Sequence, residues 1–314
     1  MYNENMNVSI DVDAKPVKAK KEKKKKPIWL KIVIWFVSII FSLLALLGGV
    51  VAFIYFKFNI NVFKLFGQLK TLNATVNVQQ LAPNSHTLDD MSSAKGVADL
   101  VLPNLITYSD ADGYEIGKEE ISSSMSGELK FTDKQIGAII DNLIESQDEI
   151  IVEMGSKINL KDYGFKVVQV AFANIEEKTV DFNVVVKIDL AKAKNDMTGF
   201  PMSLIKGMIP DSLYISATAV VTKGDSAFEY STEGKALQIN NLSGADTESL
   251  FGAINSFIKL GSAKEFAKMI GDTFVNALIG DSANNGFAYS LKDAGATDFA
   301  FETDAGNNYF VIKI

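Results

Sequence analysis

The chain has 314 residues, of which 31 are basic and 38 acidic, with one histidine and no cysteine. The absence of cysteine excludes disulfides, thiolate metal sites, cysteine nucleophiles and a lipid-modified cysteine anchor. Every basic residue is a lysine, so the planar fork that grips carboxylate and phosphate in two places is missing.

The charge is distributed unevenly. Residues 1–31 hold nine lysines against four acids, a net of +5, which leaves −12 on residues 57–314 out of the total of −7. Between them, residues 32–56 carry no charge; as a helix this run rises ~37 Å, enough to cross a ~30 Å hydrocarbon layer with some tilt. Lysines on the amino-terminal flank (Lys15, Lys18, Lys20, Lys21, Lys23 to Lys26 and Lys31) outnumber Lys57, Lys64 and Lys70 on the other. The positive-inside rule therefore predicts a single-pass cell-membrane protein, amino terminus cytoplasmic and carboxy-terminal domain extracytoplasmic. The run exceeds the usual signal-peptide core and no A-x-A site follows it, so the reading is an uncleaved signal anchor. An acidic outer domain argues against nucleic acid as a partner. Missing disulfides and the lysine bias point to a bacterial envelope.

The expected organisation is a basic, disordered tail over 1–27, the anchor over 28–56, an amphipathic helix and connector over 57–82, and an extracytoplasmic domain over 83–314. Within the anchor, Ser38, Ser42, Ala45, Gly49 and Ala52 share one helix face. Such a face suits a homodimer or a partner helix, or simply meets the lipid bilayer. Over 61–72, Val62, Phe63, Leu65, Phe66, Leu69 and Leu72 fall at helical spacing. This stretch either lies in the membrane interface or covers the outer domain's core. Residues 73–90, with Pro83, Asn84 and Ser85, read as a connector.

The outer domain reads as α+β, antiparallel hairpins with interspersed helices. A helix is predicted over 133–145, with Ile136, Ile139, Ile140, Leu143 and Ile144 as its stripe and a Thr132/Gln135 capping box. The strongest strand spans 179–190, where Val180, Phe182, Val184, Val186, Ile188 and Leu190 alternate with mainly polar neighbours. It pairs with 165–173 across 174–178. Further hairpins join 213–222 to 226–232 and 299–303 to 309–314. Helices are expected over 246–260 and 263–279, and a proline-led short helix over 202–208.

Chemical motifs are sparse. His86 is the sole candidate for a Ser-His-Asp arrangement, and no G-x-S-x-G elbow accompanies it. Ser-x-x-Lys occurs at Ser92/Lys95, Ser203/Lys206 and Ser256/Lys259 without its companion motifs. Asp110, Asp112 and Glu115, with Glu119 and Glu120 beyond them, form the densest carboxylate cluster, which hard cations favour. Gly113 follows Asp112 too soon for the calcium-loop spacing, and Asp-Ala-Asp-Gly equally makes a hairpin turn. No cofactor motif is present.

The anchor, the strand ending in the helix start Thr132-Asp133-Lys134-Gln135-Ile136, the hairpins around 165–190 and the proline-led short helix near 200–209 together resemble the YpmS-like single-pass extracytoplasmic proteins of Gram-positive bacteria. The resemblance covers about residues 126–222. It implies a non-enzymatic surface module that accommodates lipid on a curved sheet. The expectation is a membrane-anchored extracytoplasmic binding or scaffolding module that holds an envelope protein or lipid. Phe165, Val180, Phe182, Val184, Val186 and Ile188 then form either an acyl groove or a closed core. Two alternatives stand beside it: an envelope enzyme using carboxylates or a Ser/Lys pair on glycan or peptide, and an assembly subunit of a membrane complex.

Overall fold

The computed structural model describes residues 67–68, 70–117, 127–145, 150–151, 157–158, 164–196, 207, 209–255, 261–283 and 285–314. In chain order, helix α1 (Leu88–Val101) leads into the hairpin of β1 (Ile106–Ser109) and β2 (Gly113–Ile116), and β3 (Glu128–Thr132) runs straight into α2 (Asp133–Glu145). A short ladder of β4 (Ile150–Ile151) and β5 (Lys157–Ile158) precedes β6 (Lys166–Ala173), β7 (Thr179–Asp189), β8 (Ser212–Lys223) and β9 (Tyr230–Ile239). Helices α3 (Gly244–Asn255), α4 (Ala263–Leu278) and α5 (Phe287–Ser290) follow, and β10 (Asp298–Asp304) and β11 (Asn307–Lys313) end the chain. Every ladder is antiparallel; the main sheet is a meander ordered β6-β7-β8-β9, and a second sheet is ordered β10-β11-β3. The domain is α+β.

Register explains the core. Val180 opposes Val221, Phe182 opposes Ala219, Val184 opposes Ala217 and Val186 opposes Ile215, so one face of β7 and β8 is continuously apolar. Two helices roof that face. Gly137 of α2 stands beside Val170 of β6, and Gly271 of α4 stands beside Ala219 of β8. The α2 stripe buries Ile136, Ile139, Ile140 and Ile144, each a gain of ~1.5–3 kcal/mol over exposure. Its start is tied as the sequence predicts: Thr132 N–H donates to Gln135 Oε1 at 2.8 Å and Gln135 N–H to Thr132 Oγ1 at 3.3 Å. The second sheet joins through Phe301 against Phe172, ring centroids 5.1 Å apart, and through Asn308, whose amide donates to the Phe172 carbonyl at 2.6 Å.

Several sequence expectations shift. Helix α1 replaces part of the connector: its buried residues, Met91, Ala94 and Ala98, keep helical spacing but are mostly small, and Thr87 with Asp90 makes its capping box. The return strand β9 begins at Tyr230 rather than 226, because Ser226 to Glu229 form a turn in which Glu229 N–H donates to the Ser226 carbonyl at 3.1 Å. The β10–β11 turn tightens to Ala305 and Gly306, both at positive φ, the twist that two-residue hairpins favour. The amphipathic stretch is described only at its end. There Gln68 and Leu72 are buried, and the Gln68 amide donates to the Asp246 carbonyl at 3.1 Å, so this end covers the domain's core.

The anchor over 28–56, the packing face Ser38, Ser42, Ala45, Gly49 and Ala52, and all of the proline-led short helix over 202–208 except Gly207 lie outside the described residues. Among the described residues no helix is long and apolar enough to cross a membrane.

Candidate functional site

Two glycines bring α4 down onto the sheet. A Cβ on Gly234 would lie 2.0 Å from the Lys264 carbonyl oxygen, and one on Gly271 would lie 2.4 Å from Ala219 Cβ. Both distances fall far inside van der Waals contact, so helix backbone meets strand backbone at Gly234, and α4 seats on the small Ala219 side chain at Gly271, only because the two glycines carry no side chain. One face of α4 buries Phe266, Ile270, Phe274 and Leu278. On another, Lys268, Asp272 and Asn276 recur at intervals of four and so stand in one row, beside the start of β9.

That row forms one wall of a cleft of about 800 Å³, lined also by Phe228 to Thr232, Asp281, Ser282, Tyr289 and Lys292. The volume is in the range of small-ligand sites. Across the seam, Thr232 Oγ1 donates to Asp272, and Lys268 Nζ reaches the other oxygen of the same carboxylate at 2.7 Å. The Tyr230 hydroxyl donates to Asn276 Oδ1, which leaves the amide nitrogen as a donor for a ligand. Burial, then the charges of Asp281 and Asp272, push the Tyr230 phenol above its ordinary range, against a Gly280 N–H that donates to its oxygen. It therefore stays a neutral hydroxyl at any physiological pH.

The far wall depends on the end of α4. Gly280, at φ +74, turns the chain out of the helix, the left-handed residue that commonly ends one. Gly286 then packs where a Cβ would meet the Asn276 carbonyl at 2.3 Å, and Tyr289 N–H donates to the Ile279 carbonyl at 2.9 Å. Short helix α5 thus presents half-buried Tyr289, whose ring meets Phe228 in an edge-to-face contact at 5.5 Å. Lys292 Nζ sits 4.8 Å from the Tyr289 centroid and 6.0 Å from that of Phe228, a cation-π placement. Phe228 holds φ at +57, an uncommon state for a bulky residue.

The residues picked from sequence lie elsewhere. Phe165, Val180, Phe182, Val184, Val186 and Ile188 are each 6 % exposed or less and sit in the core under α2 and α4. Asp110 and Asp112 occupy the β1–β2 turn. The Asp112 carboxylate accepts from Ser109 Oγ at 3.2 Å while its N–H donates to the same oxygen at 3.0 Å; Glu115 stands on β2 opposite Thr107. Among the described residues no group of three or more acids and histidines is placed to hold a metal. Lys95 pairs with Asp99 at 2.6 Å on the surface of α1, and the Ser-x-x-Lys copies at 203 and 256 lie outside the described residues.

His86 has a partner that sequence reasoning missed. Its Nε2 lies 3.3 Å from Asp141 Oδ2, while Asp141 Oδ1 accepts from Val167 N–H at 2.8 Å. Nδ1 is buried with no hydrogen-bond partner among the described residues, and it lies 2.8 Å from where a Gly137 Cβ would be. In a nucleophile-activating arrangement the second ring nitrogen faces a hydroxyl. Here it faces helix backbone, and the pair ties the 84–86 segment to α2 and β6.

The cleft itself gave little signal. Lysine, aspartate and asparagine at intervals of four are what any solvated helix face shows. No protein-family model, curated protein or solved structure matches this chain.

Proposed function

We propose that this chain is a membrane-anchored extracytoplasmic binding module of a bacterial envelope, tethered by residues 32–56 and holding its ligand in the cleft between β9, α4 and α5. The charge pattern around residues 32–56 supports the tether. The observation that carries the binding role is the convergence of Tyr230, Asp272, Asn276 and Tyr289 on one open cleft, from elements as distant in sequence as β9 and α5. Polar groups held in place by tyrosine, threonine and lysine partners, beside aromatic rings, are what a ligand site uses to fix orientation. The apolar sheet face is roofed by helices, so the cleft rather than an acyl groove is the place for a ligand.

The absence of cysteine allows a clean test of the topology. Asn307, exposed at the start of β11, is changed to cysteine and intact cells are treated with a membrane-impermeant maleimide. Labelling before lysis supports the reading, and labelling only after lysis refutes it. For the cleft, the full chain is purified from cells in mild detergent, and co-purifying small molecules are compared with those of Asn276→Lys. Material retained by the native chain and lost from the variant supports the cleft; identical profiles refute it.

A further inference from the structure

The geometry points to a neutral, hydroxyl-rich saccharide as the occupant of this cleft, an inference that rests on the cleft being the binding site. Charge is the first discriminator. The lining carries the carboxylates of Glu229, Asp272 and Asp281 against the ammonium groups of Lys268 and Lys292. Lys268 is already neutralised by Asp272 at 2.7 Å, and Lys292 lies over the Tyr289 ring. An anionic ligand such as a phosphate ester needs a surplus of cationic donors, which this cleft lacks. A hard divalent cation needs several converging oxygens, and no such acidic group is assembled among the described residues.

The interleaving of donors and acceptors is the second discriminator. Asp272 and Asp281 accept only, Lys268 and the Asn276 amide nitrogen donate, and hydroxyls such as Ser231 do both. Each hydroxyl of a pyranose likewise donates and accepts, and neighbouring hydroxyls fit the two oxygens of one carboxylate. The C–H face of the ring is apolar and suits the apolar ring surface of a fixed aromatic such as Tyr289, which loses little entropy on contact because Phe228 and Lys292 already hold it. A volume near 800 Å³ accommodates two or more sugar rings.

The test uses the full chain in lipid nanodiscs and saturation-transfer difference NMR, which reads contact from the ligand side. Probes are the β-1,4-linked N-acetylglucosamine tetramer, maltotetraose, inorganic phosphate and tetra-alanine; calorimetry supplies affinities. The expected result is transfer to ring protons of at least one saccharide, with affinity lowered about tenfold or more in Asp272→Asn, the loss of a charge-assisted hydrogen bond. Tyr289→Leu should weaken it as well, and thermal melts confirm that both variants fold. If tetra-alanine or phosphate binds instead and Asp272→Asn abolishes that binding, the saccharide assignment falls while the cleft stands. If no saccharide binds, or its binding ignores Asp272→Asn and Tyr289→Leu, the assignment also falls. If Asn276→Lys in addition changes nothing that co-purifies, the cleft falls with it.

Discussion

Replacing Gly234 by alanine adds one methyl group, and the structure says it has nowhere to go. The new Cβ would stand 2.0 Å from the Lys264 carbonyl oxygen, 2.6 Å from the Lys268 nitrogen and 3.0 Å from Lys268 Cβ. The obstacle is mainly helix backbone rather than the free end of a side chain, so α4 must retreat by about 1 Å, a gap that forfeits up to roughly half of each affected dispersion contact. Overpacking of this kind costs ~1–3 kcal/mol. Two and four residues away on the same strand, Thr232 holds Asp272 and Tyr230 holds Asn276; stretching both adds ~1 kcal/mol for each bond. The expected loss is about 3–5 kcal/mol, or roughly 6–20 °C in melting temperature for a domain of this size. Gly96 is the control, since it is exposed within α1 and a Cβ there meets nothing within 4 Å. Gly96→Ala should raise stability by ~0.5–1 kcal/mol through lower unfolded-state entropy and better helix propensity. Circular dichroism melts of the full chain in one detergent read both variants. A loss under ~2 °C for Gly234→Ala, or an equal loss for Gly96→Ala, would show that the close approach of α4 to β9 is wrong.

Three further outcomes follow from single contacts. Burial works to raise the Asp181 carboxyl, but Lys235 at 2.5 Å and the Asn174 amide overcome it and hold the group below its ordinary 3.8. A depressed carboxyl contributes stability above its unfolded value and loses it as pH falls through the folded one. Lys235→Ala should therefore cost up to about 1 kcal/mol at pH 7, a modest figure because the lysine is half-exposed, and almost nothing once Asp181 is protonated; a cost unchanged from pH 7 to pH 2 refutes the pair. Gly137→Ala would place a Cβ 2.8 Å from His86 Nδ1 and should cost ~1–3 kcal/mol, whereas in a His86→Ala background the cost should shrink by ~1 kcal/mol or more, a coupling that denaturant unfolding of the four chains measures. Additive effects would place the histidine elsewhere. Ala305 holds φ at +49 in the β10–β11 turn, so Ala305→Gly should raise the melting temperature, by up to ~1 kcal/mol in stability, and a drop would refute the turn geometry.

What the sequence made legible is what repeats at a fixed period. The isoleucine stripe of α2, the alternation of β7 and the Thr132/Gln135 box each depend on neighbours three, two or three residues away, so a local pattern predicts a local contact. The elements that were missed or cut short break period for structural reasons. In α1 the buried face uses Ala94 and Ala98, whose small apolar surface leaves almost no stripe although the spacing is helical. In β9 the inward position opposite Ala219 is Gly234, so the strand loses its alternating signal at the one place where the helix comes nearest. The same glycine that hides the second half of β9 from a periodicity search is what lets Thr232 reach Asp272 and Tyr230 reach Asn276. His86 shows the other limit. Its partner Asp141 is 55 residues away, and nothing in the sequence around either residue requires the other; only the packing of α2 against β6 brings them together. Sites assembled by such close approaches are written in the residues that are small or absent, which carry no chemistry of their own, and so the cleft became visible only once the distances between backbones were known.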